Sequence, residues 1–477
     1  MLRLTLSWTA VTQLSLALTQ LLLLPLEVRL WGLETTAQWN TAIALAALLS
    51  AADFGLRGFG HASLRRGPAS RADGGESFEP VWAIQRLLVA GVLLLAALAA
   101  AVAMWLQIAP GGQWLLWLMI AYAVEALLSA RGMYMDTLGM IARAEASYAS
   151  MASSRLAAAL LALAVFEASP RTLALIYAGS ALGALLAQGH WLHSTSPLRL
   201  AAGGFRSMNL QTLQLLRYSI GHPLSQWCRP NLPVLVLHAI SSAAMVNAFV
   251  ALRAVFGLSR QAVLQLARFA SVQYAVTEDA GPRRLALLRW TYAGVLVGTA
   301  CALAVELDAG VLLSRWVPGT SAAGYQWVSL ALSLSAPFFA TQVLLLAYMR
   351  AGSERQAAWL QLVYVVLAVA AALAATALAT LAGYFWSFLA CEILYSAFVL
   401  AHTREQHIAA AFLRWSITGL LVILAATVLV AWTGTVDAGS PAQHAVLRTG
   451  VFLALLAVMV VQARELAVPA TPSREAP

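Results

Sequence analysis

Two consecutive apolar stretches hold the side chains best suited to binding chemistry. In SIGHPLSQWCRPNLPVLVLH (219–238), His222, Gln226 and Arg229 recur at i, i+4 and i+7, so they share one helix face. Pro223, Pro230 and Pro233 interrupt the same stretch, which predicts a broken helix with freed backbone groups near Arg229. The next stretch, FVALRAVFGLSRQAVLQLARFA (249–270), places Arg253, Arg260 and Arg268 within an arc of roughly 80°, flanked by Gln261 and Gln265. Arg268 belongs at an interface, whereas Arg253 and Arg260 lie too deep to snorkel easily. A guanidinium is always charged, and its fork matches phosphate oxygens in pairs. Arg229, Arg253 and Arg260 together read as a cationic cavity for an anionic ligand. The competing reading neutralises each arginine with Glu125, Asp53 or Glu27.

Those three acids have alternatives of their own. Asp53, Arg57 and His61 sit at i, i+4 and i+8, so Asp53 either pairs with Arg57 within the helix or holds it for an anionic headgroup. Glu125 shares a face with Asp136, with Arg143 below; being deeper, it either meets an arginine of another helix or binds a coupling cation. Gln13, Gln20 and Glu27 recur every seven residues as one polar stripe, with Pro25 near its outer end. That stripe either lines a cavity on a helix that can flex or packs against neighbours through side-chain amides. His190, His193, His238, His402, His407 and His444 fall at segment ends and read as interfacial. Cys228, Cys301 and Cys391 show neither disulfide nor zinc spacing. The chain contains no nucleophile elbow, phosphate loop or dinucleotide fingerprint, and the sequence calls for no metal and no cofactor.

The elements that must carry these residues follow from composition. Of 477 residues, 61% are hydrophobic and 10% charged, with a mean hydropathy of +0.77, far from the ~25% charged content of soluble domains. Roughly 290 apolar residues suffice for about fourteen spans of ~20 residues each. Apolar runs fall at about 7–30, 38–60, 81–106, 113–135, 147–167, 172–193, 219–240, 244–268, 290–312, 325–349, 357–380, 385–402, 411–433 and 445–463. The first run lacks a cleavage site and reads as a retained helix. All 29 basic residues are arginine, and the net charge of +9 reflects membrane orientation rather than nucleic-acid binding. With the N-terminus cytoplasmic, 21 arginines fall on the inner side, four on the outer side (Arg29, Arg171, Arg315, Arg448), and four within spans (Arg155, Arg229, Arg253, Arg260). Fourteen spans put both termini on that inner side. No loop exceeds about 25 residues, so there is no room for an extramembrane catalytic domain and the chain reads as a non-enzyme. AIQRLLVAGVLLLAALA (83–99) matches LLRWTYAGVLVGTACALA (287–304) with Arg86 opposite Arg289, which suggests two six-helix halves.

Four segments carry a family resemblance. LSAADFGLRGFGHASLRR (49–66) resembles the end of the second helix of prokaryotic polysaccharide transporters. The passage 312–356, LLSRWVPGTSAAGYQWVSLALSLSAPFFATQVLLLAYMRAGSERQ, is similar to their entry into the tenth helix and the turn after it. LAGYFWSFLACEILYSAF (381–398) resembles the turn into their twelfth helix, and ALRAVFGLSRQAVLQLARF (251–269) an arginine-bearing eighth helix of O-antigen-type flippases. The chain departs from the pattern at Trp-Val-Pro-Gly (316–319) and in having no lysine.

The family is the multidrug/oligosaccharidyl-lipid/polysaccharide flippase superfamily. The resemblance implies an all-α polytopic membrane protein of about 14 helices in a V-shaped, MATE-like arrangement. Its parts would be an N-terminal lobe over 1–200, a C-terminal lobe over 201–403, and two further helices with a cytoplasmic tail over 404–477. It implies a flippase that moves a polyprenyl-diphosphate-linked oligosaccharide across the bacterial inner membrane by alternating access, for surface-polysaccharide export. Arg229, Arg253, Arg260 and Arg57 would meet the diphosphate, and Gln13, Gln20, Gln226 and His222 the rest of the polar cargo. Asp53, Glu125 and Glu27 would carry coupling to H+ or Na+ or pair with arginines. The partners are then the lipid-linked oligosaccharide and membrane lipid, with a monomeric chain in reach of polysaccharide polymerase or ligase machinery. A drug or cation antiporter of the same fold is the alternative, and an integral-membrane glycan ligase or polymerase a more distant one.

Overall fold

The computed structural model describes residues 2–49, 96, 113–137, 140–195, 221–276, 280–317, 322–352, 354–403, 406–435, 450, 453 and 457. Asp53, Arg57, most of the stretch 83–99 and nearly all of the run 445–463 lie outside them. The described residues form eleven helices and no strand. These are α1 (Leu2–Ala46), α2 (Gln113–Thr137), α3 (Ile141–Phe166), α4 (Pro170–Thr195), α5 (Gly221–Ile240), α6 (Ala243–Val276), α7 (Ala280–Trp316), α8 (Ala322–Gly352), α9 (Glu354–Leu378), α10 (Leu381–Ala401) and α11 (Gln406–Thr435). Eight of the described helices are long and apolar enough to cross a membrane, with shorter apolar pieces at Trp114–Ser129 and Phe412–Ala425. The protein is a multi-pass membrane protein, and helices satisfy the backbone internally, as a bilayer requires.

Two compact units divide the chain. The first holds Met1–Ala254, Arg315–Thr320 and Ala358–Tyr384; the second holds Val255–Ser314, Ser321–Ala357 and Phe385–Pro477.

In the first unit, α1 is two helices joined at Gly32, whose φ of 79° and ψ of 171° only glycine adopts readily. The turn therefore falls at Gly32, while Pro25 stays inside the helix. The packing shows a fold-back. Thr9 meets Glu145 near the start of α3, and the Trp31 indole donates to the Ala168 carbonyl just beyond its end. Trp39 then packs on Trp114, and Leu48 and Leu49 pack against Met119 and Tyr122 of α2. The expected first span and residues 38–49 of the second are thus the two arms of this hairpin. Trp39 is fully buried among Trp31, Trp114 and Tyr177, with ring centroids 5.6, 5.7 and 6.0 Å away.

Helix α5 differs from expectation: it runs unbroken from Gly221 to Ile240 with Pro230 and Pro233 inside it. Pro223 falls in the first turn, where no intrahelical N–H is needed. Pro230 and Pro233 remove only the donors to Gln226 and Arg229, a loss a tightly packed helix tolerates. Helix α1 packs along it, with the Trp227 indole donating to the Ala44 carbonyl at 2.8 Å and Thr41 Oγ1 3.2 Å from His238 Nδ1. Helix α9 meets its start. A Cβ added to Gly221 would lie 2.7 Å from the Leu362 backbone N and 2.8 Å from the Ala358 carbonyl O.

In the second unit, α7 and α8 form an antiparallel hairpin with α11 against both. Gly298 lets the Ala336 carbonyl approach to 3.0 Å of where a Cβ would stand, and Gly419 admits Thr299 and Pro337. Close approach through small residues is how helices associate where lipid offers no hydrophobic drive. The buried Thr341 and Ser416 hydroxyls, 3.0 Å apart, add a polar cross-tie between α8 and α11.

Candidate functional site

The deepest ion pair joins three helices of the first unit. Arg155 of α3 is 5% exposed, and its Nη2 donates to Glu125 Oε1 of α2 at 2.5 Å. Its Nε donates to Ser180 Oγ of α4 at 3.1 Å, and the guanidinium lies 4.4 Å over the Tyr177 ring. Every part of this cation is therefore answered, by charge, hydroxyl and ring. Glu125 thus meets an arginine of another helix. The sequence placed Arg155 inside a span but gave no sign of its partner, because a cross-helix pair leaves no spacing to read.

That pairing changes the position of the other arginines. Arg253 of α6 is half-buried, and its Nη1 donates to the Pro230 carbonyl of α5. The Phe249 ring lies 5.9 Å from its guanidinium carbon. The Tyr122 and Tyr384 hydroxyls are within electrostatic range of the same group. Tyr384 is 2% exposed and packs edge-on to Phe249 at 6.4 Å. Among the described residues, no carboxylate lies within ion-pair distance of Arg253.

Arg229, one residue before Pro230, stacks over the Tyr364 ring of α9 at 4.1 Å. Both arginines therefore converge on one turn of α5, held by aromatic faces and a backbone carbonyl. Aromatic faces stabilise a cation without consuming its in-plane donors.

His222 begins the same helix, with its Nδ1 2.9 Å from Gln361 Nε2 of α9. Gln226 is half-buried on α5. Arg260 belongs to the second unit, where it lies 5.4 Å over the Phe339 ring of α8. The polar stripe of α1 divides by depth: Gln20 is exposed, while Glu27 is 4% exposed beside the Trp39 indole. Spacing alone showed that the two share a face but not that one end is sealed by a tryptophan cluster.

Three buried polar groups carried no sequence signal. Asn247 of α6 is fully buried; it donates to the Leu33 carbonyl at 2.8 Å and accepts from Asn40. Gln342 of α8 donates to the Glu392 carboxylate at 2.8 Å and to Ser396 at 2.9 Å. Glu306 of α7 accepts from two serines of α8. Among the described residues, no cluster of His, Cys, Asp and Glu has the makings of a metal site.

Long apolar helices and small-residue crossings define the class: a polytopic, all-helical membrane protein. The structure is similar to that of the lipid II flippase MurJ in an inward closed conformation, with a TM-score of 0.68 at 12% identity over 97% of this chain and 100% of that one. It is also similar to the MATE multidrug transporter DinF-BH, with a TM-score of 0.51 at 13% identity over 85% of this chain and 96% of that one. No protein-family model matches the sequence, and no curated protein does. The chain shares the all-helical fold of these two membrane proteins.

Proposed function

We infer that this protein is a flippase for a polyprenyl-diphosphate-linked oligosaccharide in a bacterial inner membrane, working by alternating access. The observation that carries the reading is Arg253. It is a cation inside an apolar helix with no carboxylate in reach among the described residues, because Glu125 is already engaged by Arg155. A half-buried charge with no carboxylate among the described residues is a functional signal in a membrane. A diphosphate is the anion whose oxygens best match guanidinium forks.

Sugars and phosphates cannot cross hydrocarbon unaided, so the arginines Arg229, Arg253, Arg260 and Arg57 would hold the diphosphate. Gln20, Gln226 and His222 would meet sugar hydroxyls while the prenyl tail stays in lipid. On this reading residues 1–200 and 201–403 act as the two rocking lobes, with 404–477 appended. Both termini are cytoplasmic, and the chain acts as a monomer beside the enzymes that polymerise or ligate the glycan. Coupling through Asp53, Glu125 or Glu27, or consumption of the flipped lipid downstream, would drive the cycle.

The test is movement of a polyprenyl-diphosphate oligosaccharide across proteoliposomes, comparing wild type with Arg229→Ala/Arg253→Ala/Arg260→Ala. Wild type should move the lipid, and the folded variant should not. Equal movement by both assigns the arginines to structure. If wild type moves no such lipid but expels a cationic dye, the antiporter reading replaces this one.

A further inference from the structure

We propose that Glu306, Ser329 and Ser333 form a monovalent-cation site, for a proton or Na+, in the second unit. Glu306 ends the span Leu285–Glu306, an apolar stretch that cannot cheaply hold a lone charge. Ser329 and Ser333 of α8 both donate to the same carboxylate oxygen, at 2.7 and 2.6 Å. They stand one turn apart, 1% and 0% exposed, so both hydroxyls face α7 from within the packed hairpin.

Serines inside helices ordinarily return their hydroxyls to a carbonyl of their own helix. Ser225, Ser259 and Ser335 of this chain do so. Ser329 and Ser333 instead reach across to another helix and converge on one anion. No other described charged or titratable side chain acts on Glu306, whether from α7 or from α8.

A carboxylate desolvated in this way is strongly disfavoured unless a positive charge accompanies it. Two hydroxyls soften the penalty but do not cancel the charge. A cation completes the balance. Na+ would take one carboxylate oxygen and turn the lone pairs of both hydroxyls onto itself, since hard oxygen donors suit such an ion. A proton would sit on the carboxyl, with the serines bonded to the neutral group. Glu306 lies roughly 30 Å along α7 from Leu285. On the topology proposed above, that places it at the outer mouth, where a cation driven inward would enter. The site rests on the transporter reading and names its coupling ion class.

Cation binding needs no lipid substrate, so the test separates this site from the flippase assignment. Purified full-length protein is titrated with NaCl against choline chloride at constant ionic strength, following thermal unfolding. In parallel, infrared difference spectra across a pH step record a carboxyl C=O band. Wild type should show either Na+-dependent stabilisation or a titrating carboxyl band, and Glu306→Gln should abolish it. Ser329→Ala/Ser333→Ala keeps the carboxylate but removes its donors. It should weaken apparent Na+ affinity, or shift the proton midpoint, by about tenfold. Should Glu306→Gln fail to fold, the serine variant decides by itself. Absence of both responses in wild type overturns the site. So does their persistence in Glu306→Gln, or an unchanged response in the serine variant. A cation response without lipid movement would leave the site standing and refute only the flippase.

Discussion

Removing the Glu125 carboxylate tests the charge arrangement on which the first unit is built. In Glu125→Leu the Arg155 guanidinium keeps Ser180 Oγ and the Tyr177 ring but loses its counter-charge, with its side chain 6% exposed. Stranding one member of a buried pair costs about 3–5 kcal/mol. The retained partners put this variant near the lower end, at about 3 kcal/mol. Arg155→Met strands Glu125, whose side chain is 19% exposed and so in part hydrated, and should cost about 2–3 kcal/mol. The double variant Glu125→Leu/Arg155→Met removes both charges and fills the space with apolar atoms. It should lie within about 1 kcal/mol of wild type, giving a coupling of about 4 kcal/mol or more. Denaturant titration in mixed micelles, followed by circular dichroism, measures all four corners of this cycle. Strictly additive single costs would refute the pairing argument, as would single variants each costing under about 1 kcal/mol.

Three further outcomes follow from the geometry. Arg253→Lys keeps the charge but not the fork, so binding of a short-chain polyprenyl diphosphate should weaken about tenfold or more, by titration calorimetry in micelles. Gly32→Ala and Gly32→Leu should each cost about 1–3 kcal/mol in the same denaturant titration. The two costs should be nearly equal, because nothing lies within 4 Å of a Cβ there and the penalty is purely one of backbone conformation. Gly221→Leu should sharply lower the unfolding temperature, since its Cβ would meet the Leu362 and Ala358 backbones. Gly179→Ala, with open space around it, should leave that temperature unchanged or raise it slightly.

Arginine asymmetry and apolar run length made the helical class legible, because a bilayer forces both onto any spanning chain. Helix faces were legible too: the i, i+4, i+7 spacing of His222, Gln226 and Arg229 does lie along one continuous helix. What spacing could not show was what each face meets. Pro230 and Pro233 read as a break because local chemistry favours one, yet α5, tied to α1 at Trp227 and His238, runs whole through both. Arg155 was visible as a deep charge, but its partner lies 30 residues away on another helix. Glu306 was inconspicuous because its partners are serines, residues too common in apolar helices to stand out in a sequence.

The fate of the acids in the first unit decides how the arginines are to be understood. If Glu125 were free, it could neutralise Arg253, and both would be scaffolding. Instead Arg155 holds it, through an interaction that also binds α2, α3 and α4 together. Glu27 is sealed beside Trp39, where it makes no ion pair among the described residues. Among the described residues Arg253 is thus left with a carbonyl and the Phe249 ring, which orient a guanidinium without discharging it. A cation so placed is stable while water or an anionic ligand reaches its open edge, and costly when neither does. An arginine kept in this state favours conformations that expose it to a ligand over those that bury it empty. On the flippase reading proposed above, that preference would let the protein move loaded more readily than unloaded.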